Sequence, residues 1–521
     1  MSSRRSYWPA AGFVGAATAL TVLQLGALLN SRKPSVVQAV ENRFIDGFAA
    51  SLKEVAVQLF GRHDKVALEI GTAIVCLAAG AAIGNWARGR LWALATGFGV
   101  FAALGIWSAA VDPLASGALA AVLVPVAAAA GTAAAFLLGR RWQAGPVGDR
   151  ESDGFEPNDL DDERVTTGVT RRTVLVEGGI AAAALLVLST VARSVRNTAD
   201  DVVAAVRQKL PAPKQTTALP DQPFDVSGVS AYITPTKEFY RIDTALDVPS
   251  VDVASWKLRI TGMVDHPLEL TYDELLARDL VEVPVTLQCV SNEVGGDLVG
   301  TAMWTGVRLA DVLNEAGVQH RADQVVGESV DGFTAGFPSS VALDGRDALI
   351  AVGMGGETLP PLHGFPARLV VPGLYGYVSA TKWLSEIRLT TFAEEAGYWI
   401  PRGWSRLGPI KTQSRIDVPR DGGSIGRGKV AIAGVAWAPT RKISRVEVRV
   451  DDGPWQDATL GRVANDDTWV QWMLPWDAAS GNHHAEVRAT DGTGDVQTAE
   501  LADPAPNGAT GHHRVEFTVE G

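Results

Sequence analysis

The amino-terminal third of the chain contains runs of apolar, uncharged residues that are long enough to cross a lipid bilayer. Residues 9–29, 91–110 and 114–139 contain no Asp, Glu, Lys or Arg, and a predicted span over 66–86 is uncharged from residue 70 onward. A helix needs about 20 apolar residues to cross the hydrocarbon core. Residues 173–192 form a fifth candidate, with one acid, Glu177, near its start. The sequence therefore predicts a membrane domain of five transmembrane helices over residues 1–195.

Pairs of arginine residues flank these spans and predict their orientation. With the amino terminus in the cytoplasm, all the pairs fall on the cytoplasmic side, where basic residues of short loops concentrate. The pairs are Arg4 and Arg5, Arg88 and Arg90, Arg140 and Arg141, and Arg171 and Arg172. Five spans then place everything after about residue 195 outside the cytoplasm, so we expect a multi-pass protein of the cell membrane with an extracytoplasmic carboxyl-terminal half.

Charge and cysteine content exclude several classes of function. The chain has 46 basic and 58 acidic residues, a net charge of −12, whereas nucleic-acid binders show a basic footprint. Its two cysteines, Cys76 and Cys289, are too few for a disulfide-rich scaffold, a zinc finger, a c-type haem or a cysteine-ligated iron–sulfur cluster. The predicted spans contain no His or Met, so we expect no haem between the membrane helices.

The remaining residues are typical of a soluble α+β protein in two parts. A polar linker over 196–224 precedes a mixed α/β region over 225–395, in which Thr271 and Glu274 form the pattern of a helix capping box. From residue 400 to 521 the pattern is all-β, because Val446, Val448 and Val450 alternate with charged residues. Short strands between turn signals predict an immunoglobulin-like β-sandwich.

One cysteine and a group of cations are the candidate site. Cys289 ends a predicted strand and precedes a polar, glycine-containing loop, where a thiolate could attack a substrate or bind a metal; a small buried apolar residue is the alternative. His363, Arg368 and Lys382 flank an apolar strand. Such a set is more typical of an anion or phosphate cradle than of a protease triad.

These segments resemble the sulfite oxidase family of molybdopterin oxidoreductases. The resemblance covers roughly residues 225–521 and depends on motifs in a fixed order: Phe239-Tyr-Arg, Leu287-Gln-Cys-Val-Ser-Asn, Trp304-Thr-Gly-Val-Arg-Leu, His363-Gly-Phe-Pro-Ala-Arg and Lys382-Trp. It implies a mixed α/β molybdopterin-binding domain of sulfite oxidase type, with the sandwich as the molybdenum-cofactor dimerisation domain. The implied activity is two-electron oxygen-atom transfer on a small substrate.

The resemblance also implies residue roles. Cys289 would be the thiolate ligand of molybdenum, and Asn292, Trp304 and Phe333 would complete the catalytic pocket, Phe333 standing where the family has a tyrosine. The residues expected to hold the molybdenum–molybdopterin cofactor are Phe239, Tyr240, Arg241, Cys289, Asn292, His363, Arg368, Ser379, Thr381 and Lys382. Neither a haem nor a flavin motif is present, so electrons would pass to or from a separate partner, a cytochrome or a quinone-linked protein. A homodimer is expected from the family.

Departures from the family pattern concern the substrate. Glu293 and Val294 stand where true sulfite oxidases carry two arginines, so the pocket is poorly matched to a dianion. We therefore expect a neutral oxygen donor or acceptor rather than sulfite. The alternatives are a true sulfite dehydrogenase, and a tethered binding or structural protein with a vestigial cofactor site.

Arg171 and Arg172 have two interpretations. They lie in Thr170-Arg-Arg-Thr-Val-Leu, which resembles a twin-arginine export signal, although topology alone would explain both arginines. Molybdopterin is inserted in the cytoplasm, so the domain must fold before it crosses the membrane. The cofactor therefore favours the export interpretation.

Overall fold

The computed structural model describes residues 7–27, 36–41, 64–112, 115–143, 176, 179–180, 210–221, 224–244 and 248–521. Nearly all of the predicted fifth span over 173–192, together with Arg171 and Arg172, lies outside these residues. The chain divides into two compact units, one of residues 1–203 with 245–247 and one of residues 204–244 with 248–521.

The first unit contains four long helices where the sequence predicts the first four spans. They are α1 (Trp8–Ala27), α2 (Asp64–Ala87), α3 (Leu91–Val111) and α4 (Gly117–Gln143). All four are long and apolar enough to cross a membrane. Large apolar side chains such as Val75, Trp92 and Leu137 are more than half exposed, and lipid is the environment in which such exposure is stable. The unit is that of a multi-pass membrane protein.

Small residues let these helices approach closely. A Cβ atom at Gly12 of α1 would collide with the backbone of Gly80 and Gly84 of α2. Apolar helices in lipid gain little from hydrophobic burial, so close van der Waals packing at small residues holds them together. Glycine at these three positions is therefore a packing requirement.

The second unit begins with two mixed sheets. The first has the order β1-β4-β5-β8-β10, with β9 paired to β8, and the second has the order β3-β2-β11-β6-β7. Their strands are β1 (Gln215–Thr216), β2 (Lys257–Gly262), β3 (Leu268–Thr271), β4 (Leu280–Gln288), β5 (Val299–Arg308), β6 (Gln324–Ser329), β7 (Thr334–Pro338), β8 (Leu349–Met354), β9 (Glu357–Thr358), β10 (Arg368–Val370) and β11 (Leu384–Thr390).

Four short helices connect these strands: α5 (Tyr272–Leu276), α6 (Leu309–Ala316), α7 (Ser339–Ala342) and α8 (Gly376–Ser379). The predicted capping box is confirmed, because the Thr271 hydroxyl accepts from the Glu274 amide and the Glu274 carboxylate accepts from the Thr271 amide. Helix α6 ends at Gly317, whose φ of 70° is the left-handed conformation that glycine adopts without strain.

Two further sheets form the carboxyl-terminal part. They have the orders β12-β14-β18-β17 and β13-β20-β19-β15-β16. Their strands are β12 (Gln413–Val418), β13 (Gly423–Gly426), β14 (Gly428–Trp437), β15 (Ile443–Val450), β16 (Gln456–Asp457), β17 (Thr459–Leu460), β18 (Val470–Ala478), β19 (Gly481–Asp491) and β20 (His513–Glu520). These sheets are consistent with the expected immunoglobulin-like sandwich, whose first strand, β12, begins at Gln413.

The two parts of the second unit share one hydrophobic core. Trp437 and Trp469 of the sandwich lie in the same buried cluster as Leu258 and Val307 of the mixed sheets. The Trp469 amide donates to the Thr286 hydroxyl at 2.8 Å, and the Thr286 amide donates to the Asp467 carbonyl at 3.0 Å. The sandwich is thus fixed against the strand that carries Cys289.

Candidate active site

The turn after β4 places Cys289. Its amide donates to the Leu298 carbonyl at 2.9 Å, which closes a loop over residues 289–298, here called the Cys289 turn. Within it the Asn292 amide donates to the Cys289 carbonyl at 3.1 Å, and the Asn292 side-chain oxygen accepts from the Leu298 amide at 2.8 Å. Cys289 is buried, with 9% of its surface exposed. Asn292 is therefore the residue that shapes the turn.

Aromatic rings form one wall of the site. The Phe239 ring stacks on Tyr240 with centroids 5.1 Å apart and meets the edges of Trp304 and His363 at 5.7 and 5.8 Å. The Arg368 guanidinium lies over the Trp304 ring, 4.9 Å from its centroid. A buried cation gains from such a face because the ring quadrupole partly replaces lost hydration.

Two buried phenols interact electrostatically with the Cys289 thiol. Burial raises the pKa of Tyr240 far above its ordinary value, with a further contribution from Cys289, whereas Arg368 opposes the rise. Burial raises the pKa of Tyr375 to about 12, and the charge of Cys289 adds to that as well. Both phenols keep their protons at neutral pH and can donate hydrogen bonds.

The cations of the site lie in two different environments, one with backbone carbonyls as partners and one with a carboxylate. The Arg368 guanidinium is buried and donates to the His363 carbonyl at 3.2 Å and weakly to the Leu369 carbonyl at 3.4 Å, and burial lowers its pKa to about 10. Lys382 and Arg241 instead share the carboxylate of Asp243, at 3.1 and 2.9 Å. Burial lowers the pKa of Lys382 to about 8 although Asp243 opposes the shift.

His363 is a neutral imidazole. Its Nε2 lies 3.2 Å from the Thr236 carbonyl, to which it donates. Burial lowers the pKa of His363 to about 4, with the charges of Arg368 and Lys382 adding to the effect. Gly364 follows with a φ of 110°, and a Cβ there would press on Lys382 and Arg368 at 3.0 and 3.2 Å. Glycine at position 364 therefore leaves room for His363, Arg368 and Lys382 to lie close together.

Ser379 and Thr381 are completely buried, and their hydroxyls form hydrogen bonds with backbone carbonyls. The Ser379 hydroxyl donates to the Tyr375 carbonyl at 3.0 Å, and the Thr381 hydroxyl donates to the Gly327 carbonyl at 3.2 Å. Their protons are therefore committed, and only their oxygen lone pairs remain available to a ligand.

The substrate prediction depends on Phe333, Glu293 and Val294. Phe333, in the turn between β6 and β7, packs against Tyr398 at 5.6 Å, and none of its ring contacts among the described residues is to a predicted site residue. Glu293 is exposed and Val294 is half-buried, both within the Cys289 turn. The contacts described above bring Cys289, Asn292, Trp304 and the cations into one region, and the role of Phe333 in the pocket stays a prediction.

The residues fit an anionic cofactor that brings its own metal ligands. Among the described residues, no group of three or more His, Cys, Asp or Glu side chains could hold a metal ion, so Cys289 can supply only one ligand. Asn292 Nδ2 is a buried donor with no partner in the described part of the chain, and Arg368 has no carboxylate bonded to it there. A pterin cofactor that holds its metal by a dithiolene and carries a phosphate group would supply hydrogen-bond acceptors for Asn292 Nδ2 and for the Arg368 guanidinium.

Comparison with known proteins agrees with a molybdopterin site. Residues 245–399 match the oxidoreductase molybdopterin binding domain. Mitochondrial sulfite oxidase of Homo sapiens is 31% identical over 320 residues, covering 52% of this chain and 58% of its own length. The uncharacterized oxidoreductase YuiH of Bacillus subtilis (strain 168) is 36% identical over 163 residues, covering 31% of this chain and 79% of its own length. The chain belongs to the sulfite oxidase family.

This family member is a sulfite oxidase-like molybdopterin oxidoreductase, and its predicted fold class is confirmed. It spans about half the length of the human and rat sulfite oxidases that it matches. The sulfane dehydrogenase SoxCD from Paracoccus pantotrophus aligns over 57% of this chain and 85% of its own, with 24% identity and a TM-score of 0.49.

Sequence analysis missed several site residues. Asp243, Thr236 and Tyr375 contact or neighbour the predicted ones. Asp243 carries a signal, since it follows Arg241 by two residues. Nothing in the sequence distinguishes Tyr375 from the other tyrosines.

Proposed function

We propose that this protein is a membrane-anchored molybdopterin oxidoreductase that performs two-electron oxygen-atom transfer on a small substrate outside the cytoplasm. The observation that carries the proposal is the buried thiol of Cys289, which interacts electrostatically with the buried phenols of Tyr240 and Tyr375, together with the buried Arg368 guanidinium stacked on Trp304. When bound, the cofactor supplies a metal that exchanges two electrons with the substrate.

Each side chain has a role in this proposal. Cys289 provides the thiolate ligand, a soft donor suited to a metal already held by sulfur. Arg368, Lys382 and Arg241 balance the negative charge of the pterin phosphate and dithiolene, and neutral His363 contributes its remaining ring nitrogen as an acceptor. Phe239 and Trp304 exclude water. The protonated phenol of Tyr240 is placed to donate a hydrogen bond to an oxygen atom beside Cys289.

The proposed substrate is a neutral oxygen donor or acceptor, such as a sulfoxide or an N-oxide. The three cations of the site are placed for the cofactor, and two of them are already paired with Asp243. Val294 supplies no charge where the family has an arginine. One missing charge-assisted hydrogen bond costs about 1.5–3 kcal/mol, which is about ten- to a hundredfold in affinity. The exposed carboxylate of Glu293 adds repulsion toward an anion.

Steady-state kinetics of the full-length protein in detergent test the substrate class. Sulfite is offered with an artificial electron acceptor, and a sulfoxide or N-oxide with an artificial donor. We expect weak sulfite oxidation and a gain of about tenfold or more in apparent sulfite affinity in Val294→Arg. Unaltered protein that oxidises sulfite with micromolar apparent affinity is instead a true sulfite dehydrogenase; its mammalian relatives are named sulfite oxidases.

Electron flow and anchoring complete the proposal. Five spans with a cytoplasmic amino terminus would place the second unit outside, with export through Arg171 and Arg172. Electrons would be exchanged with a separate cytochrome or quinone-linked protein. Four apolar helices support the anchoring, and the family assignment supports the cofactor. The remaining alternative, a tethered binding protein with a vestigial site, predicts that no molybdenum is bound.

A further inference from the structure

A buried hydrogen-bonded bridge joins the carboxyl-terminal sandwich to the residue before Cys289. Gln288 is fully buried at the end of β4. Its side-chain oxygen accepts from the Trp437 indole nitrogen at 2.8 Å, and its side-chain nitrogen donates to the Gln413 side-chain oxygen at 2.7 Å. Gln413 in turn donates to the Ala509 carbonyl at 3.0 Å. We call Gln288, Gln413 and Trp437 the Gln288 bridge.

The sandwich also contacts the far side of the Cys289 turn. Arg415 donates to the Gly296 carbonyl at 2.7 Å and is itself held by Asp417 and the Ser230 hydroxyl, both at 2.7 Å. The His513 ring occupies the space where Gly295, with a φ of 77°, would carry a Cβ. The Cys289 turn is thus held at both ends by side chains of the sandwich.

We infer that Gln288 is a positioning residue, through which the sandwich fixes the orientation of the Cys289 sulfur toward the metal. The inference rests on the proposed function, because it takes Cys289 to be the metal ligand. The bridge is buried and both polar atoms of the Gln288 side chain are bonded, so its geometry is rigid. Cys289 follows this fixed residue directly, so its thiolate has little freedom to change orientation. The contacts that orient a metal ligand influence the affinity and the reactivity of the metal.

Trp437→Phe tests the bridge, because it removes the donor to Gln288 and keeps an aromatic ring. Trp472 is the matched control. It is also fully buried in the sandwich, but its indole nitrogen has no hydrogen-bond partner among the described residues. Trp472→Phe should therefore remove no hydrogen bond. Both variants are made in the full-length protein, purified in detergent with its cofactor.

The readouts are molybdenum content, the electron paramagnetic resonance spectrum of one-electron-reduced molybdenum, and turnover. We expect Trp437→Phe to retain the metal, to change the spectrum and to lower turnover about tenfold, as small misplacements of reacting groups do. Trp472→Phe should leave the spectrum and turnover unchanged. Gln288→Met, which breaks both bonds of the bridge at similar volume, should give the spectral change of Trp437→Phe or a larger one.

Three results would overturn the inference. Unchanged spectra in Trp437→Phe and Gln288→Met would show that the bridge does not orient the ligand. Equal changes in Trp437→Phe and Trp472→Phe would show a general effect of core substitution. If the unaltered protein binds molybdenum but Cys289→Ser leaves its spectrum unchanged, the proposed ligand and the bridge both fail. If the first result appears while Cys289→Ser does change the spectrum, only the bridge is wrong.

Discussion

Cys289 can be separated from the cofactor cradle by a single substitution, because the cations lie on other segments of the chain. Cys289→Ser should keep the fold and much of the pterin, since Arg368 and Lys382 are untouched, but turnover should be lost. Cys76→Ser, the same change in α2, is the control and should keep full activity. Activity assays with pterin content measured on each variant check this. Near-normal turnover by the Cys289 variant would rule out its role as ligand.

Lys382 gives the site a pH dependence. Its pKa is lowered to about 8, so without a bound anion it loses its charge as pH rises above that value. An anion raises the pKa, and its binding is therefore weakened progressively at higher pH. We expect the detergent-purified protein to lose molybdenum on dialysis above about pH 8, and Lys382→Arg to lose less. Equal retention by both proteins across the alkaline range would be evidence against a phosphate contact.

The sequence indicates which residues of the candidate site lie together where they belong to one short stretch, but not where their contacts depend on packing. His363, Arg368 and Lys382 lie on one stretch around β10, so their proximity follows from local chain geometry. Gln288 meets Trp437 and Gln413 only because two sheets distant in sequence pack together. The ring of Phe333 contacts Tyr398, which lies 65 residues further along the chain, so this contact too depends on packing.

Among the elements, the predicted fifth span begins after two arginines whose role in export can be tested. If Arg171 and Arg172 form an export signal, replacing both by lysine should stop delivery of the molybdenum-loaded domain, because the charge is kept but the signal is lost. Arg140→Lys with Arg141→Lys is the matched control at another pair and should have no effect. Protease accessibility in spheroplasts measures delivery. If the variant with lysine at 171 and 172 is delivered normally, Arg171 and Arg172 act only as a topology signal.

Long elements are also those that the sequence predicts best. Charge-free runs identify α1 to α4, and alternation identifies β15, since both patterns repeat over several turns or residues. Two-residue strands such as β16 and β17 have no such repeat, and only their partners define them.

At the scale of the whole molecule, the sandwich is predicted to form a homodimer. Trp437, Trp469 and Trp472 are buried within the chain and cannot contribute to an interface, whereas Trp455 and Trp476 are half-buried and can. Stable interfaces bury roughly 1,200 Å² or more. Light scattering with subtraction of the detergent mass should give a dimer at micromolar concentration, and Trp455→Ala, at the interface, should weaken it. A monomer throughout would contradict the prediction.

The central claim is that the second unit binds a molybdenum cofactor through Cys289. Metal analysis of the full-length protein, purified from cells that make the cofactor, tests it most directly. We expect about one molybdenum atom per chain, held with pterin in similar amount. Protein that is folded and exported but contains no molybdenum above background would contradict it and favour a tethered binding protein with a vestigial site.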